Sequence, residues 1–196
     1  MKIWSTIKLV FISLVALVAL TFLTVDAPKK IEKVAINLEN LPDTVELIGF
    51  EEQKFNTNSI IKPESIIFVG NHESIMLAKT LDEMLDLDAG DFIIVSSVSD
   101  EPWFIKRWQA HTQNTKLKGD KQLAWIYDRD GSIRNFLQVP TSDALKYFVY
   151  NVKKDGIIEN IYIGKIKVGA SNGTMSEKEI KENLQEVVKR VKELEY

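Results

Sequence analysis

Asn71-His72-Glu73-Ser74 places an amide, an imidazole, a carboxylate and a hydroxyl at four consecutive positions. An imidazole beside a carboxylate can pass a proton or share a metal ion. A serine hydroxyl becomes a nucleophile only when a base is aligned with it. The chain has two histidines, His72 and His111. With Glu73 they would form a set of two imidazoles and a carboxylate able to hold a divalent ion, and this is the basis of an alternative enzymatic reading, non-thiol or metal-dependent. Against it, His72 is too close to Ser74 in sequence to be presumed aligned, and Asn or Ser ahead of a helix ordinarily caps its free N–H groups. Capping is the simpler reading, so no catalytic residue, metal ligand or cofactor is assigned. Asp128-Arg129-Asp130-Gly131 begins like a calcium loop but lacks the later acidic ligands, and reads as a turn. Asn172-Gly173-Thr174 is a glycosylation sequon only in a host with that machinery.

The elements around these residues follow from apolar spacing. "TVELIGFEEQKFNTNSII" consists of short alternating segments broken at Gly49, which suits a β-hairpin. Ile66, Ile67, Phe68 and Val69 form a continuous apolar run, the mark of a strand covered on both faces. Leu77, Ala78, Leu81, Met84 and Leu85 then lie on one helical stripe. "FIIVSSV" is a second buried strand. "EPWFIKRWQAHTQN" is a helix whose first turn tolerates Pro102. "LAWIYDRDGSIRNFLQV" and "LKYFVYNVKKDGIIENIYIG" each set an aromatic-rich strand before an Asp-Gly turn, and the second reads as an antiparallel hairpin. Ser176 and Glu179 have capping-box spacing, and Ile180, Leu184, Val187, Val188, Val191 and Leu194 form one face of a terminal helix. Strand–helix–strand units followed by a hairpin imply an α/β protein with a mixed sheet flanked by helices.

This order, with an apolar segment in front, resembles the thioredoxin-like superfamily, in particular its membrane-anchored thiol–disulfide oxidoreductase and peroxiredoxin-like branch. The resemblance rests on "VELIGFEEQKFNTNSI", "SIIFVGN", the helix ending "LDEML" and the "KYFVYNVKKDGIIENIYIG" hairpin, and covers roughly Leu41 to Val191. It implies a degenerate C-x-x-C position at Asn71, His72, Glu73 and Ser74. It also implies a cis-proline beside that site. Pro140 is the candidate, although the usual spacing falls nearer Ala144 or Leu145. The chain contains no cysteine, so thiol exchange and thiol peroxidase chemistry are excluded. Trp103 and Phe104 fall where such proteins bind extended peptides and are the candidate binding surface, while the other aromatics read mostly as core.

Residues 9–25, "LVFISLVALVALTFLTV", are seventeen uncharged residues preceded by Lys2 and Lys8. They would extend roughly 25 Å as a helix, a little under a bilayer core. An uncleaved anchor is the preferred reading, ahead of a cleaved signal and of a buried helix. The expected organisation is 1–26 anchor or signal, 27–40 linker and 41–196 domain. After the anchor 23 basic residues face 28 acidic ones, which leaves no basic stripe for nucleic acid. The expectation is a single-pass membrane protein. Its redox-inactive, thioredoxin-like domain would lie outside the cytoplasm, in the periplasm, and bind or scaffold an envelope protein.

Overall fold

The computed structural model describes residues 35–50, 53–88, 90–98, 123–140 and 145–194. Residues 1–26, Trp103, Phe104 and His111 lie outside them. Among the described residues no helix is long and apolar enough to cross a membrane.

The strands are β1 (Ile36–Asn37), β2 (Thr44–Glu46), β3 (Lys54–Asn56), β4 (Ile66–Gly70), β5 (Phe92–Ser97), β6 (Ala124–Asp128), β7 (Lys146–Val152) and β8 (Ile157–Lys165). The helices are α1 (Thr57–Ile60), α2 (Leu77–Leu85), α3 (Ser132–Phe136) and α4 (Glu177–Lys192). Six strands form a sheet in the order β1-β8-β7-β4-β5-β6, and β2 pairs with β3 as a separate hairpin. β4, β5 and β6 are parallel, whereas β7 runs antiparallel to β4, and β8 to β7. This mixed α/β arrangement, in which a parallel pair is joined through α2 and an antiparallel hairpin precedes a terminal helix, fits a thioredoxin-like fold.

The continuous apolar runs are explained by burial on both faces. Successive strand residues point to opposite sides. Ile66 and Phe68 join the cluster under α2 and α4, while Ile67 and Val69 join the one that contains Val45, Ile133 and Tyr150. Each such side chain contributes about 1.5–3 kcal/mol by leaving water. α2 buries Leu77, Ala78, Leu81 and Leu85 of the expected stripe, and α4 buries Ile180, Leu184, Val187 and Val191. The capping box is present: Glu179 N donates to Ser176 Oγ at 3.3 Å, and Ser176 N to Glu179 Oε2 at 2.9 Å. Lys167 and the Ser176 amide together hold the Glu179 carboxyl down at about 2.

One expectation needs correction, and one element went unread. Ile36 and Asn37, inside the stretch assigned to the linker, pair with Ile158 and Ile157 as an edge strand. Two paired residues are too few for a pattern to reveal. After Asp130-Gly131 the chain forms the short helix α3, built on contacts rather than on periodicity.

Candidate functional site

The corner between β4 and α2 is closed by its own side chains. Asn71 Oδ1 accepts from Glu73 N (3.0 Å), Ser74 N (3.1 Å) and Ser74 Oγ (3.2 Å). Ser74 Oγ in turn accepts from Asn71 N at 3.0 Å. Ile75 N donates to Asn71 O at 2.9 Å, so the turn is already helical before α2 formally begins. The hydrogen bonds that satisfy a helix start therefore fall on Asn71 and Ser74, as the capping reading expects, and not on Met76, the residue preceding α2, which makes no side-chain cap. Ser74 is fully buried. Its hydroxyl is enclosed and engaged, which removes it as a nucleophile.

Packing behind the corner is equally tight. A Cβ on Gly70 would lie 2.8 Å from Ser74 Oγ and 2.9 Å from Phe68 Cε1, so the close approach of these groups requires glycine. Asn71→Ala would leave three donors without their acceptor. It is expected to lower unfolding stability by about 1–2 kcal/mol, as for the loss of a strong cap, read as a shift in the urea midpoint at constant slope.

His72 and Glu73 point elsewhere. His72 Nε2 lies 3.6 Å from Glu73 Oε1. Glu73 Oε2 accepts from both Ser171 N and Ser171 Oγ at 3.1 Å. The carboxylate thus stands between the Ser171 hydroxyl and the imidazole. A triad needs the imidazole in the middle, touching the hydroxyl, so this order does not activate Ser171. It joins the corner to the turn before α4. Nothing in the sequence announced the pairing, because the partners are separated by 98 positions. The alternative enzymatic set cannot be assembled from the described residues, since His111 is not among them. Among those residues no group of three metal-ligating side chains converges.

Pro140 is not the proline expected beside the corner. Every peptide bond among the described residues is trans. Pro140 is exposed past the end of α3, where its carbonyl accepts from Arg134 Nη2 at 2.7 Å. The β4–β7 ladder ends at Val69, which pairs with Phe148, and Leu145 lies just ahead of β7. Leu145 O accepts from Ile166 N at 2.9 Å, and the loop that follows carries Val168 and then Ser171. Leu145 is 37% exposed and Val168 73%. Two apolar side chains are therefore exposed, one just ahead of β7 and one in the loop whose Ser171 bonds Glu73.

A cleft of about 330 Å³ lies elsewhere, between the β2–β3 hairpin and the β6–α3 corner, lined by Glu46, Lys54, Tyr127, Asp128 and Asp130 among others. Burial pushes the Tyr127 phenol and the Asp128 carboxyl up. Both Asp128 oxygens are committed to α3, accepting from Ile133 N at 3.1 Å and Arg134 N at 3.0 Å. This explains the calcium-like motif as a turn that caps a helix.

No family model matches the chain, and no curated protein does. Among solved structures, one of MTB DsbF in its mixed oxidized and reduced forms is similar at 12% identity and a TM-score of 0.46, covering 78% of this chain and 97% of that one.

Proposed function

We propose that the chain is a redox-inactive, thioredoxin-like module that binds an envelope protein, held at the membrane by residues 9–25 with its domain outside the cytoplasm. The observation that supports this most is the combination of a sealed, sulfur-free corner with exposed Leu145 and with exposed Val168 in the loop that bonds Glu73 through Ser171. Groups that would act on a substrate are spent on capping, while apolar surface that would contact one stays open. Exposed apolar side chains beside a rigid turn are suited to gripping an extended segment of another protein.

The test is site-specific photo-crosslinking in the native membrane with the reactive group at Leu145. A discrete adduct is expected. Val168→Asp should lower its yield about tenfold, equivalent to about 1.4 kcal/mol, because a carboxylate would have to be desolvated in the contact. A folded Val168→Asp protein that forms the adduct in full yield would rule out this surface.

A further inference from the structure

Two carboxylates hold the loop between β8 and α4. Lys167 pairs with Glu179, the capping-box residue in the first turn of α4. Further along, the Ser171 amide and hydroxyl both donate to Glu73 Oε2, at 3.1 Å each. Val168, with 73% of its surface exposed, lies in the chain between these two anchors.

The loop is also braced internally. Thr174 Oγ1 donates to Val168 O at 3.0 Å, and Asn172 N donates to Gly169 O at 2.9 Å. Ala170 is fully buried in the cluster under α2 and α4, and Met175 belongs to the same cluster. Apolar burial is non-directional, so it keeps the loop down without setting its orientation. An oxygen that accepts two hydrogen bonds from a single residue does set it, because each bond has a preferred angle as well as a length. A charged acceptor makes both bonds stronger.

Glu73 is itself well fixed. Its side chain is 15% exposed, and its second oxygen lies 3.6 Å from His72 Nε2. Its amide donates to Asn71 Oδ1 at 3.0 Å, so the carboxylate projects from the same clasped turn that closes the corner. The loop that carries Val168 is thereby tied to the most rigidly bonded turn of the site.

We infer that Glu73 is a positioning residue: acting through Ser171, it fixes Val168 in place for the contact surface proposed above, and this role rests on that reading. A contact residue ordered beforehand loses less freedom on binding. Without the Glu73 acceptor, Val168 would stay exposed but would have to be ordered by the partner.

The test takes two measurements on the full chain. The first is amide hydrogen exchange in detergent micelles. In Glu73→Ala the amides of Ser171, Asn172 and Gly173 are expected to exchange about tenfold faster than in wild type, as in a locally opened segment. Those of α2 should be unchanged, because the substitution keeps the amide that Asn71 accepts from. Glu73→Gln, which keeps a carbonyl oxygen for Ser171, should exchange as wild type does. The second measurement is photo-crosslinking from Leu145 in the native membrane. Glu73→Ala should lower the yield about fivefold, by the cost of ordering the loop on contact. Glu73→Gln should leave it unchanged. Val168→Asp should lower it less in Glu73→Ala than in wild type, since the two changes act on one contact.

Wild-type exchange at Ser171–Gly173 in Glu73→Ala overturns the inference. So does a loosened loop that leaves the adduct, and its sensitivity to Val168→Asp, in full. Should Glu73→Ala misfold, Ser171→Ala, which removes one of the two donors, must still speed exchange at Asn172 and lower the yield. Absence of any adduct from the wild-type chain would instead remove the proposed contact itself, a failure told apart by the exchange rates, which report the Glu73 tie without a partner.

Discussion

Gly164→Ala is expected to lower the unfolding free energy by about 3 kcal/mol, at the upper end of what overpacking a core costs. A Cβ at this position would fall within the Tyr147 ring, against Cζ, Cε1 and the hydroxyl. The ring has nowhere to go. It stacks on Phe68 at 5.3 Å between centroids, leans on Tyr162 at 6.0 Å, and its hydroxyl is tied to Asn183. Tyr147 itself is fully buried, and burial drives its phenol well above the usual range. For a domain of this size the loss corresponds to a fall in Tm of roughly 6–12 °C. Calorimetry measures it directly. Tyr147→Leu in the same background should recover part of the loss by emptying the space above the strand. A Gly164→Ala protein within about 1 kcal/mol of wild type would mean the ring moves aside freely, contrary to its three restraints.

Asp128→Ala carries the second large effect. The wild-type side chain is 2% exposed and accepts from the first amides of α3. Its loss would leave two donors in a poorly solvated corner at about 1–3 kcal/mol each, offset by relief from burying a charge. A net loss of about 2 kcal/mol at neutral pH is expected from these terms. The pH dependence has a definite sign. Burial raises the folded pKa of Asp128, outweighing the two amide hydrogen bonds that lower it. The folded state therefore binds this proton more tightly than the unfolded chain does. The contribution of the group is full below the ordinary carboxylate value and declines as pH rises through the raised folded value. The stability gap between wild type and Asp128→Ala should thus be widest in acid and narrow toward neutrality. Urea titrations of both proteins across that range measure it, and a gap that widens with rising pH would contradict the assignment.

What the sequence revealed follows the length scale of each signal. Ile66–Val69, the α2 stripe and the Ser176–Glu179 box are local patterns, and each forms the element its spacing implies. The Asp155-Gly156 turn closes the β7–β8 hairpin, with Asp155 Oδ1 accepting from Ile157 N at 3.1 Å. What escaped is set by distant contacts. The two-residue strand β1 exists because β8 offers it partners, and α3 begins where the Asp128 carboxylate gathers its amides. At the corner, residue types alone made Asn71 and Ser74 capping residues, and the bonds agree. Where Pro140 lies was a matter of tertiary contacts: it follows α3, and its carbonyl accepts from Arg134 Nη2.

The Asn71–Ser74 clasp also shapes what mutation can reach. A single change to cysteine at either position would create a thiol with no second thiol anywhere in the chain to close upon. It would also break the hydrogen bonds between the two side chains. Every one-step route toward dithiol chemistry therefore crosses a less stable protein that has gained no activity. The absence of thiols at this corner is in that sense locked in by two hydrogen-bonding side chains.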